Sequence, residues 1–132
     1  MTSHRVLMVD DNPGDVELVR IALEGSGLQV VMESVDNGIA AIRWLIHASG
    51  AGALPSLVLL DLNMPSANGF EVLDFMSVRH LTDRIPVVVL TSSQRPADRR
   101  RCMAYGVRAM HSKGDSFEGI SQLVDGFRAY LS

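Results

Sequence analysis

Between Leu57 and Leu60 the chain carries no polar side chain at all, and Val87 to Leu90 repeats the pattern. Successive residues of a strand face opposite sides, so an uninterrupted apolar run must be covered on both faces. This excludes a sheet with one wet side and calls for strands sandwiched between helices. The rest of the sequence supplies them. Arg5–Val9, Gln29–Val35, Leu57–Leu60, Pro86–Leu90 and the weaker Val107–His111 read as strands, and a helical pattern follows each. Alternating strands and helices imply an α/β fold with a parallel sheet, and right-handed crossovers are expected.

The helix signals are local. Asn12 suits an N-cap, Pro13 the first helical position and Asp15 the positive end of the helix dipole. Val16, Val19, Ala22 and Leu23 form the apolar stripe, and Gly25 and Gly27 end it. Ile39, Ala40, Ile42, Leu45 and Ile46 give the second stripe, followed by the glycine-rich loop HASGAGALPS. Gly69–Val78 is the third helix, with Phe70, Leu73 and Met76 inward and Val72 and Phe75 flanking. Pro96 opens the fourth, closed by Gly106. Ser116 caps the last, whose stripe is Phe117, Ile120, Leu123, Val124, Phe127 and Leu131.

A length of 132 residues, 47% of them apolar, suits a single domain with one core, residues 1–132. The net charge of −3 argues against electrostatic binding of nucleic acid. The single cysteine, Cys102, excludes an internal disulfide and a cysteine-built zinc site. The N-terminus turns acidic too early for a signal peptide, and no apolar run is long enough to span a membrane. A cytoplasmic domain with neither nucleic acid nor membrane as partner is expected.

In a parallel sheet the C-terminal ends of all strands share one rim, where ligands bind. The first strand ends in Asp10-Asp11, the third in Asp61, the fourth in Thr91-Ser92, and Lys113 follows the fifth. Topology therefore gathers residues far apart in sequence. Carboxylates ~4 Å apart repel by about 4 kcal/mol per pair at an effective dielectric near 20. One lysine cannot neutralise three of them, so a proton is retained or a cation binds. Oxygen donors without His or Cys favour a hard ion such as Mg²⁺. Thr91 and Lys113 could hold the oxygens of an incoming phosphoryl group, with Asp61 as nucleophile.

At these residues the chain resembles the receiver domain of two-component response regulators. The motifs are VDDNPGD, LVLLDLNMPSANGFEVL, PVVVLTSS and Lys113 beyond YGVRAM. The resemblance implies a doubly wound, flavodoxin-like (βα)5 fold with strand order 2-1-3-4-5 and no output domain. It implies that Asp61 is the phosphoacceptor, that Asp10, Asp11, Asp61 and the backbone carbonyl of Asn63 bind Mg²⁺, and that Thr91 and Lys113 contact the phosphoryl oxygens. It implies a sensor histidine kinase as donor. DNPGDVELVRIAL and the loop after the second helix narrow it to regulators associated with bacterial phytochromes, a group in which a homodimer is one option. Met110 stands where the family has an aromatic residue and Gly114 where it has a proline. The readout face implied by the family holds Met103, Tyr105 and Met110.

Two other functions compete. A phosphohydrolase working through an aspartyl phosphate would want a second acid two residues after the nucleophile, where Asn63 stands. A receiver-like binding domain that is never phosphorylated would lack one of the acids, and none is missing. The run Arg99–Arg101 reads as a solvated helix face, Cys102 and Trp44 as packing residues, and His4, His47, His80 and His111 are too scattered for a site.

Overall fold

A computed structural model describes residues 4–64, 68–93, 95–113 and 117–131. The strands are β1 (His4–Val9), β2 (Val30–Val35), β3 (Leu57–Leu60), β4 (Val87–Thr91) and β5 (Ala109–Ser112). They form one parallel sheet in the order β2-β1-β3-β4-β5. The helices are α1 (Pro13–Gly25), α2 (Gly38–Gly50), α3 (Gly69–Val78), α4 (Pro96–Ala104), α5 (Phe117–Gly126) and α6 (Arg128–Leu131).

The apolar strands do what their composition demands. Leu7, Val9, Val58, Leu60, Val87 and Val89 enter one core layer, with Ala41, Leu45, Phe70, Leu73, Met76 and Cys102 from the helices. The alternate residues Val6, Met8, Leu57, Leu59, Val88 and Leu90 enter the other, against α1 and the C-terminal helices through Val19, Leu23, Ile120, Val124 and Phe127. Every residue of β3 and β4 is buried.

Asparagine side chains start three helices. Asn12 Oδ1 accepts from the Gly14 and Asp15 amides, Asn37 from Ala40 and Asn68 from Glu71, each satisfying otherwise orphaned first-turn donors. The α1 stripe is buried as expected.

Three expectations need correction. The buried face of α2 is Gly38, Ala41, Leu45 and Ala48, whereas Ile39 and Ile46 are exposed. Small residues on that face let the helix lie close to the sheet, while Ile42 and Trp44 pack at its margin. The α2 helix also runs on through His47–Gly50, so only Ala51–Ser56 remain as loop. The last helix is two, because the chain tightens at Phe127, whose amide bonds the Val124 carbonyl. Ser116, Gly114 and the side chain of Phe117 lie outside the described residues.

Trp44 does more than pack: its indole N–H donates to Glu33 Oε2 at 2.7 Å and the Arg5 guanidinium lies 5.0 Å from its ring centre. Arg99–Arg101 are exposed as expected, with the Arg101 guanidinium 4.1 Å from the centre of the Phe70 ring. Met103 is 52% exposed, and Met110 packs partly against the core.

Candidate functional site

The site is built where β1, β3, β4 and β5 end. Sheet pairing delivers its residues. The Asp10 amide bonds the Val35 carbonyl at 3.0 Å and the Asp61 amide bonds the Val9 carbonyl at 2.9 Å, which sets both aspartates at one level of the rim. The Lys113 amide bonds the Thr91 carbonyl at 2.8 Å, which carries the lysine to the same edge.

Asp10 and Asp61 are buried although they terminate strands, each 3% exposed, and Asp11 is exposed. The carboxylates of Asp10, Asp11 and Asp61 offer oxygens within 4.8 Å of one another. Asp10 Oδ1 accepts the Asn12 amide at 2.9 Å, and Asp61 Oδ1 accepts the Asn63 amide at 3.2 Å. The inner oxygens are left to Lys113. Its Nζ lies 3.1 Å from Asp61 Oδ2, as a hydrogen bond, and 3.0 Å from Asp10 Oδ2. The latter approach is electrostatic only: Asp10 Oδ2 is fully buried and has no hydrogen bond.

Burial raises the Asp10 pKa above the usual carboxylate value, because desolvation outweighs the Asn12 amide and the Lys113 charge. Burial would pull Lys113 down, but the carboxylates of Asp15, Asp10 and Asp61 around it outweigh this and hold it above the ordinary lysine range.

A fourth carboxylate joins the site that sequence reasoning did not place there. Asp15, in the first turn of α1, puts Oδ2 2.8 Å from Lys113 Nζ, the shortest of the three ion pairs to this lysine. Its position after a capping asparagine had a sufficient local explanation, which concealed the tertiary role.

Thr91 is 1% exposed, and its Oγ1 accepts the Ser93 amide at 3.1 Å. Beside it a cavity of about 290 Å³ is lined by Thr91, Ser93, Arg95, Arg99, Met110 and His111. Asn63 is exposed next to Asp61. Asp10, Asp11, Asp61, Asn63, Thr91 and Lys113 are thus on one rim, as expected.

The donor set fits a hard divalent cation. It is all oxygen, its charge exceeds what one lysine neutralises, and it contains a buried carboxylate oxygen without a hydrogen bond. Among the described residues no helix is long and apolar enough to cross a membrane.

Comparison with known proteins gives a consistent result. Residues 6–125 match the family model of the response regulator receiver domain. A probable methanogenesis regulatory protein, FilR2 of Methanothrix harundinacea (strain 6Ac), is 36% identical over 126 residues, spanning 95% of this chain and 81% of that protein. Response regulator Rcp1 of Synechocystis sp. is 30% identical, spanning 95% of this chain and 86% of that protein. The Mn(2+)-bound crystal structure of Rcp1 superimposes with a TM-score of 0.83 at 28% identity, over 98% of this chain and 95% of that one. The crystal structure of the phosphorylated cyanobacterial phytochrome response regulator RcpA superimposes with a TM-score of 0.87 at 29% identity, over 98% of this chain and 94% of that one.

Proposed function

Because this chain belongs to the response regulator receiver domain family, whose members accept phosphoryl groups from histidine kinases, we propose that Asp61 is its phosphoacceptor and that Mg²⁺ assists the transfer. The observation that carries this is the setting of Asp61: a buried carboxylate at the end of β3, 3.1 Å from an ammonium and within 4.8 Å of two further aspartates.

Asp61 attacks the phosphorus of a kinase phosphohistidine. An O–P bond forms as the P–N bond breaks, and the leaving nitrogen keeps the electron pair. Asp10, Asp11, Asp61 and the Asn63 carbonyl would hold the cation, which would supply charge neutralisation for the phosphoryl oxygens. Lys113 stays beside Asp61 and pairs with one phosphoryl oxygen. The Thr91 hydroxyl donates to another. Hydrolysis of the acyl phosphate by water resets the protein, and no turnover of an external substrate is required.

The donor proposed is a phytochrome-type sensor kinase in the cytoplasm, supported by likeness to the cyanobacterial phytochrome response regulator RcpA. Signalling proceeds through changed contacts with a partner or a second copy, about the face that holds Met103, Tyr105 and Met110. Asn63 cannot serve as a second acid, which disfavours phosphohydrolase activity.

The test is phosphotransfer from a labelled histidine kinase. Acid-labile, hydroxylamine-sensitive label on the wild-type chain, dependent on Mg²⁺ and lost in Asp61→Asn, supports the assignment; undiminished label in Asp61→Asn rejects it.

A further inference from the structure

Lys113 Nζ stands between three carboxylates: Asp15 Oδ2 at 2.8 Å, Asp10 Oδ2 at 3.0 Å and Asp61 Oδ2 at 3.1 Å. Asp10 and Asp61 belong to the oxygen cluster that fits a divalent cation; Asp15 does not. An ammonium and a divalent cation sharing the same oxygens repel each other strongly at such separations. Lys113 must therefore yield Asp10 Oδ2 when a cation takes that atom. A lysine side chain that gives up its partners swings to solvent unless another anion holds it.

We propose that Asp15 is a positioning residue for Lys113: it keeps the ammonium beside Asp61 once Asp10 has passed to the cation. This rests on the reading of the site given above.

The local structure is built for such a division of labour. Asn12 ties both acids down at once. Its backbone amide donates to Asp10 Oδ1, and its side-chain oxygen accepts from the Gly14 and Asp15 amides. The Asp10 side chain and the Asp15 backbone are thereby both held by a single residue. The two differ in burial, the Asp10 side chain being 1% exposed and that of Asp15 24%. Water reaches Asp15, so its pairing with Lys113 survives rearrangement at low cost. Asp10 is sealed and depends on a positive charge beside it. Lysine suits the role, being a compact charge on a flexible stem with three donors.

The experiment is a double-mutant cycle read by calorimetric titration with MgCl2 on the full chain, using wild type, Asp15→Asn, Lys113→Gln and the double variant. With Lys113 present, loss of Asp15 leaves the ammonium displaced from Asp10 without the anion that catches it, so giving up Asp10 to the cation costs more. Asp15→Asn should then weaken Mg²⁺ binding by roughly five- to tenfold, a usual coupling for charges in one network. In the Lys113→Gln background the same change should cost clearly less, and Asp15→Glu should restore part of the affinity. Urea unfolding of each variant checks that the fold is kept. Equal losses in both backgrounds, or none in either, overturn the proposal and leave the phosphoacceptor reading intact. Failure of the wild-type chain to bind Mg²⁺ overturns both.

Discussion

Gly69 packs its α-carbon against the peptide that follows Asp61. A β-carbon there would fall on the Asp61 carbonyl oxygen and lie 2.7 Å from Leu62 Cα, and the Gly69 amide bonds the Leu62 carbonyl at 3.0 Å. The start of α3 is thus pressed against the segment that carries the central carboxylate, and both obstructing atoms are backbone. Gly69→Ala should cost about 1–3 kcal/mol, as overpacking does. Urea unfolding measures the stability. Phosphotransfer should fall as well, because relief of the clash displaces Asp61. Wild-type stability in Gly69→Ala would show that the segment yields freely.

Asp10 supplies a prediction of sign. Its folded pKa is raised above 3.8 by burial, so the folded state holds its proton more tightly than the unfolded chain does. Ionisation of Asp10 therefore costs stability as pH rises from 3.8 through the folded pKa. In the presence of a chelator, Asp10→Asn should be more stable than wild type near neutral pH, and the gap should narrow as pH falls toward 3.8. The same substitution should abolish Mg²⁺ binding. Denaturant midpoints across pH, with and without Mg²⁺, measure both effects.

Thr91 separates two roles for one hydroxyl. Its Oγ1 accepts the Ser93 amide, and in the proposed phosphorylated state its O–H donates to the phosphoryl group. Thr91→Ser keeps both functions. Thr91→Val keeps the shape, leaves the Ser93 amide short of a partner and should cost about 1 kcal/mol. Phosphotransfer to Thr91→Val should survive, since Asp61 and Lys113 remain. The spectral change that accompanies phosphorylation, followed by NMR at Met110 and Ser93, should be lost in Thr91→Val and retained in Thr91→Ser.

Cys102 is fully buried, and burial pushes its thiol pKa up to about 11. Reactivity belongs to the thiolate and requires access. The native chain should leave Ellman's reagent essentially unreacted at pH 8 and react with one equivalent after denaturation. Fast native labelling would mean that α4 opens readily.

Much of the site could be read from the sequence because parallel-sheet topology does the gathering. Asp10, Asp61, Thr91 and Lys113 each sit at or just past the end of an apolar run, and strand ends share a rim. What escaped were contacts between elements. Asp15 looked complete as a first-turn acid, and only the return of the chain through β5 sets Lys113 against it. Gly69 reads as a helix start, and its contact with the Asp61–Leu62 peptide depends on how closely α3 approaches β3. The exposure of Ile39 and Ile46 has the same origin. Periodicity finds the large apolar residues, but Gly38, Ala41 and Ala48 are small enough to bring the other face of α2 to the sheet. The division of the last helix at Phe127 is invisible in a stripe that continues across it.

Lys113 has a consequence for the whole molecule. By standing among Asp10, Asp15 and Asp61 it gives the protein an internal counter-ion, tethered covalently and never diluted away. Under the proposed function, an inorganic ion that leaves after the chemistry would not strip the buried acids of every positive charge, because the ammonium stays among them.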